Sequence, residues 1–263
     1  MIIRKLSPQV IGLILAMLFM AGCSLQAATP SPAPQPPATQ APTQPPTQVS
    51  TDTPLPPTET SSPSPTPTET PYPVFWDDFN GEFQPGWSWI RENDALWSLD
   101  SKPGYLRIVL QCARPARNLL VRDVDSNNFQ ITTHLLFEPT SNFQFAGLLV
   151  YQDDKNMASF GRAFCNVQGT CVGNGIYFDL TQDGQLQGSN FATDTKLKDE
   201  AYLRLDKTGS HYSGYYSEDS SNWMLIGEHD IEMLDPKVGL FTANSCVVGQ
   251  VALYDYFSSM GLP

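Results

Sequence analysis

The sequence predicts an all-β fold, a jelly-roll sandwich of two antiparallel sheets, from residue 74 to the end. Three observations predict it. Apolar and polar residues alternate with period two. Ten or more short strand candidates fit into 190 residues, punctuated by Gly, Pro, Asn and Asp. No window of 11 or more residues shows a 3.6-residue period with caps. So many short strands in one domain bury their apolar faces only by layering into two sheets.

Ahead of that domain stand two segments of different character. Residues 1–22 carry Arg4 and Lys5, then an apolar run from Val10 to Met20 broken only by Gly12. This is the pattern of an export signal, too short to span a bilayer as a helix. It ends in Met20-Ala21-Gly22-Cys23, which resembles a bacterial lipobox and implies cleavage before Cys23 and diacylglycerol on its sulfur. At ~0.8 kcal/mol per buried methylene, two or three acyl chains make a stable anchor. The chain is thus expected outside the cytoplasm, lipid-anchored at the cell surface. Residues 23–73 form the linker, and 24–73 hold 16 of the 23 prolines with no Phe or Trp. Such a segment has nothing to bury, and at ~3.1 Å per residue in polyproline II it reaches on the order of 150 Å. It reads as a disordered stalk.

Within residues 74–263 the strand candidates are 75–79, 105–110, 117–122, 129–137, 143–151, 156–163, 173–179, 202–206, 211–216, 222–227, 237–242 and 248–257. Lys207-Thr208-Gly209-Ser210 is a hairpin turn sequence. These 190 residues carry 13 basic and 24 acidic side chains, a net charge of −11 without any Lys/Arg cluster. That balance excludes nucleic acid and anionic lipid surfaces as partners. A monomer is expected.

Four cysteines remain besides Cys23, and an even number in an exported chain points to disulfides with three possible pairings. Cys165 and Cys171 flank a turn-like segment between apolar stretches, and Cys112 with Cys246 follows by elimination. His134, His211 and His229 lie at no ligand spacing to these cysteines, which disfavours a metal site there. Asp153 and Asp154 end an apolar strand and precede another, so they read as a hairpin turn; neighbours on a strand also point to opposite faces.

A resemblance rests on Phe75-Trp76-Asp77-Asp78-Phe79, Trp89-Ile90-Arg91-Glu92, Trp97-Ser98-Leu99, Pro103 to Ile108, Arg117-Asn118-Leu119-Leu120 and Ala146 to Asp154. In order and spacing these are similar to the carboxy-terminal concanavalin A-like domain of family 43 β-xylosidases. Tyr215 to Asp219, ahead of Asn222-Trp223, resembles a hairpin of laminin-G-like sandwiches. In those enzymes a catalytic propeller precedes the domain; here a lipobox and stalk stand in that place.

The resemblance implies a sugar-related role and sets the candidate residues. Sugars present apolar C–H faces and hydroxyl rims, so aromatic and planar polar side chains recognise them. Trp89, Arg91, Arg117, Asn118, Tyr151, Asn174 and Tyr177 are the expected contacts. Concanavalin A-like modules often hold structural calcium, which Asp77, Asp78 and Asp255 would ligate if the terminal strands pair. No cofactor is otherwise expected. Glu228, Asp230 and Glu232 fit the E-x-D-x-E pattern similar to family 16 glycosidases, also jelly rolls. On a strand they would share one face with about 6–7 Å between successive members, a geometry that could run retaining chemistry, where carboxyls sit ~5–5.5 Å apart. The expected function is a non-catalytic module for β-linked glycans such as xylan. The alternatives are a glycoside hydrolase using Glu228 and Glu232, and a structural or protein-contact domain.

Overall fold

The structure, a computed structural model, describes residues 74–167, 171–243, 246–247 and 249–263, without the side chains of 171 and 172. The export signal, Cys23 and the Pro-rich segment lie outside the described residues. Fifteen strands are described. The first five are β1 (Val74–Asp77), β2 (Ser88–Ile90), β3 (Trp97–Ser98), β4 (Leu106–Val109) and β5 (Leu119–Arg122). Then come β6 (Phe129–Leu136), β7 (Phe145–Asp153), β8 (Asn156–Val167), β9 (Cys171–Gln182) and β10 (Gln185–Ala192). The last are β11 (Glu200–Thr208), β12 (His211–Ser217), β13 (Met224–Asp230), β14 (Lys237–Ala243) and β15 (Val251–Gly261). Among the described residues the helical content is one 3₁₀ turn at Asp94–Leu96, and no helix there is long and apolar enough to cross a membrane.

An eight-stranded sheet runs β13-β12-β11-β6-β15-β4-β3, with β1 also paired to β15. A seven-stranded sheet runs β10-β9-β8-β7-β14-β5-β2, and the strand pairs in both are antiparallel. The two-sheet sandwich read from the alternation is the observed fold. Period two explains the layering residue by residue: on β7, Ala146, Leu148 and Val150 face the inter-sheet core, where Phe160, Phe178, Leu203, Leu205 and Tyr254 meet them. The intervening Phe145, Leu149 and Tyr151 join Leu119, Val121, Ala163, Tyr177 and Phe241 in a second apolar cluster on the far side of the seven-stranded sheet. That sheet is therefore apolar on both faces, and the outer cluster is itself buried.

The sequence reading left β10 out. It is an edge strand whose Gln185, Leu186 and Gln187 are exposed and whose register slips between Leu186 and Gly188, so it shows no alternation. Its signal was the Asp183-Gly184 turn: both residues have positive φ (+52° and +76°), as a two-residue hairpin of the mirror-image type requires.

Candidate functional site

The outer face of the seven-stranded sheet is built in rows. Phe241, Gly147, Gly161, Tyr177 and Phe191 stand opposite one another across β14, β7, β8, β9 and β10. The two central members are glycines, so no side chain stands between the rings of Phe241 and Tyr177. Side chains are also unwelcome there, since a Cβ on Gly161 would lie 2.0 Å from the Ala146 carbonyl oxygen. Phe145 packs edge-on against Phe241 at 4.9 Å, and Phe191 stacks on Tyr177 at 5.4 Å and 23°. A groove of about 630 Å³ opens on this face, lined among others by Phe145, Ala163, Tyr177, Asp179, Leu186 and Ser189.

One carboxylate lies in this lining. Asp179 sits a row below Tyr177, between Ser159 and Ser189, and accepts a hydrogen bond from the Ser189 hydroxyl at 2.5 Å. Burial pushes its carboxyl above the ordinary range, with Ser189 and nearby His229 pulling partly back. Burial, then the Asp179 charge, raises the Tyr177 hydroxyl, which donates to the Gly173 carbonyl at 3.0 Å. Arg114 and Phe143 stand exposed at the rim. A Cys112–Cys246 disulfide ties the segment bearing Arg114 to the chain just past Ala243, another groove residue. Cys165 in the lining is also disulfide-bonded, and the side chain of Cys171 lies outside the described residues.

Of the seven expected contacts, Tyr177 lies in the groove and the others serve elsewhere. Trp89 packs between Phe83 and Trp97 at the end of the core. Arg91, at φ +56°, donates to the Ala116 carbonyl and grips Asp154 through two nitrogens at 3.0 and 2.9 Å. Tyr151 donates its hydroxyl to the same Asp154. Buried Asn118 exchanges two hydrogen bonds with the Asn93 backbone, and Arg117 donates to the Glu92 carbonyl. These five strap loops together. Asn174 accepts from Arg162, which is wholly buried, and donates to the Lys198 carbonyl. The two aspartates of the 153–154 turn divide: Asp153 accepts from the backbone of Lys155 and Asn156, while Asp154 holds Arg91.

The carboxylate run Glu228, Asp230 and Glu232 does not lie on one strand. Glu228 and Asp230 both engage His211, at 3.1 and 2.9 Å. Glu232 lies past the end of β13 and lines a separate cleft with Lys207 and Asp235. His229, in the middle of the run, points inward to the Phe178 carbonyl at 2.9 Å. The three aspartates considered for calcium also do separate work. β1 and β15 do pair, but both oxygens of buried Asp77 are taken by the Phe79 and Gln84 N–H groups and the Trp87 indole. Asp78 caps Asn80, and Asp255 binds His134. These residues do not fit a calcium site, and among the described residues no group of three or more His, Cys, Asp or Glu is placed to hold a metal.

The comparison that decides the family is with the model of the β-xylosidase C-terminal concanavalin A-like domain, which matches residues 76–259. The chain belongs to this family. A curated xylan 1,3-β-xylosidase of Vibrio is 25% identical over 147 residues, which is 53% of this chain and 26% of that protein. Among solved structures, a family 43 protein of Bacillus licheniformis aligns with a TM-score of 0.61 at 20% identity, over 71% of this chain and 39% of its own. A xylan β-1,4-xylosidase of Bacillus halodurans aligns equally well, at 20% identity over 76% and 40%. These structural likenesses establish the fold. The chain spans well under half of each relative's length.

Within this xylosidase-type sandwich, sequence reasoning missed Phe191, Asp179, Ser189, Leu186 and Phe143. The Asp183-Gly184 hairpin was the available signal for β10, but a bulge between Leu186 and Gly188 shifts the pairing by one residue and sets Asp179 opposite Ser189 and Tyr177 opposite Phe191.

Proposed function

We propose that this is a non-catalytic carbohydrate-recognition domain, displayed at the cell surface by a lipid on Cys23 and a Pro-rich stalk. Its groove takes an uncharged β-linked glycan of the xylan class. The supporting observation is a groove with the exposed ring of Phe143 in its lining and the exposed ring of Phe191 stacked on Tyr177 beside it, around one half-buried carboxylate between serines. Ring faces meet the C–H faces of sugars, and Asp179 accepts from hydroxyls. A hydrolase works with a pair of carboxyl groups, and Asp179 is the single one in the groove's lining. Family membership supports a sugar-related role.

Affinity gels containing xylan test this. The full chain is expected to be retarded, and Phe191→Ala, at a 42%-exposed position, to lose most of that retardation without losing stability. Release of sugar from xylan, abolished by Glu228→Gln or Asp179→Asn, would replace the proposal with a hydrolase. A second reading, a protein-contact domain, is favoured by the aliphatic rim of the same groove: Val167 and Leu186 are exposed. Capture of a protein through this rim, with no glycan on an array, would establish it.

A further inference from the structure

The opposite side of the sandwich, the outer face of the eight-stranded sheet, has a different make-up. Tyr256, His134 and Tyr202 form one row across β15, β6 and β11. The next row is Trp76, Ser258, Thr132, Arg204 and Tyr215, across β1, β15, β6, β11 and β12. The rings lie in parallel pairs: Trp76 on Tyr256 at 4.4 Å and 14°, and His134 on Tyr202 at 4.1 Å and 7°. Arg204 lies over Tyr215 at 4.4 Å, with Trp223 beyond at 5.6 Å. With strands ~4.8 Å apart, five of them span roughly 20 Å between the Trp76 end and the Tyr215 end.

Charge decides what such a face can hold. Arg204 is neutralised by Asp206 at 2.7 Å, and His134 stands between Glu200 at 2.7 Å and Asp255 at 2.9 Å. Thr132 and Ser258 share a hydrogen bond at 2.6 Å. With Arg204 paired to Asp206, the centre of these two rows offers no free cation, and the charge left there is that of the Glu200 and Asp255 carboxylates on either side of His134. The exposed aliphatics of the domain's other side are also missing from these two rows. What it does offer is ring faces, Trp76 being 54% exposed, beside carboxylate and hydroxyl oxygens that accept hydrogen bonds. The complement of that surface is an uncharged polyol with apolar C–H faces.

We infer that this aromatic ladder is a second glycan-binding surface, running across the strands from Trp76 to Trp223, so that one domain grips two glycan segments on opposite faces. The inference extends the proposed sugar-binding role, but it rests on residues that the groove does not use. Two modest surfaces on a tethered domain would add through effective concentration, without either being deep.

The test is titration calorimetry of the full chain in detergent with xylohexaose, comparing wild type, Trp76→Ala/Trp223→Ala and Phe191→Ala. Two sites per chain are expected in the wild type and one in each variant, with retention on xylan gels weakened roughly tenfold when the ladder is removed. Trp76→Phe, which keeps an aromatic face, should restore most of the binding that Trp76→Ala loses, whereas a merely unfolded variant would lose both sites. Unchanged stoichiometry and affinity in Trp76→Ala/Trp223→Ala overturn the inference and leave the groove reading standing. Loss of all binding in that variant, with Phe191→Ala unaffected, overturns the groove and leaves the ladder as the site. No binding by wild type overturns both.

Discussion

The Tyr254 hydroxyl, fully buried on the eight-stranded sheet, crosses the core and accepts a hydrogen bond from the Gly147 N–H at 3.0 Å on the other sheet. The same hydroxyl donates to the Phe241 carbonyl at 2.5 Å. Gly147 and Phe241 are opposite each other in the row that continues through Gly161 to Tyr177, a groove residue. One tyrosine thus completes the backbone hydrogen bonding beneath the candidate site. Burial drives its ionisation far above the ordinary tyrosine range, so it remains a neutral donor and acceptor at all working pH values.

Replacing it tests that role. Tyr254→Phe keeps the ring but strands a buried N–H and a buried carbonyl, for an expected loss of about 2–4 kcal/mol. Urea unfolding measures it as a lower midpoint at unchanged slope. A loss below about 0.5 kcal/mol would mean that the two backbone groups find partners elsewhere.

His211 ties pH to the β12–β13 hairpin. Hydrogen bonds to Asp230 and then Glu228 raise its pKa above the ordinary 6.5. A base with a raised folded-state pKa stabilises the fold fully below the unfolded value and loses that contribution as pH rises through the folded value. The melting temperature of wild type should therefore exceed that of His211→Gln at pH 5.5, and the gap should close toward pH 9. A gap that is constant across that range would show that the imidazole is not charged in the hairpin.

The Cys112–Cys246 bond joins residues 134 apart in sequence. Cys112→Ser/Cys246→Ser should lower stability by about 2–5 kcal/mol, following the cost of removing a native disulfide. Because the bond fastens the Arg114 wall beside Ala243, glycan retention should weaken even at temperatures where the variant stays folded. Equal retention by folded variant and wild type would detach the disulfide from the groove.

What the sequence made legible was set by periodicity and by local turn chemistry. Leu148 and Leu149 alternate sides as neighbours on a strand must, and the Asp153 turn was read correctly because an Asx cap acts on residues two and three along. Arg91 and Asn118 have intramolecular partners that the sequence did not show. Their partners, Asp154 and Asn93, lie 63 and 25 residues away, and no local pattern shows that a planar polar group is already satisfied. Glu232 looked like the third member of a strand face because the sequence does not mark where β13 ends, at Asp230. The groove itself depends on β10, whose edge position removes the alternation that would announce it.

Asp179 offers the sharpest separation of stability from function. Burial raises its folded-state pKa above the unfolded 3.8, so the native state keeps a proton that the unfolded chain has released. Stability then falls as pH rises from the unfolded value to the folded one, and it stays lower at neutral pH. Asp179→Asn removes that penalty while leaving an oxygen to accept from Ser189. The variant should match wild type near pH 3, unfold at higher urea than wild type at pH 7, and be retarded less by xylan at pH 7. A residue that destabilises its own fold and is needed for binding marks a site kept for its ligand. If Asp179→Asn gains stability and binds xylan as well as wild type does, the carboxylate is no sugar acceptor and the groove reading loses its polar anchor.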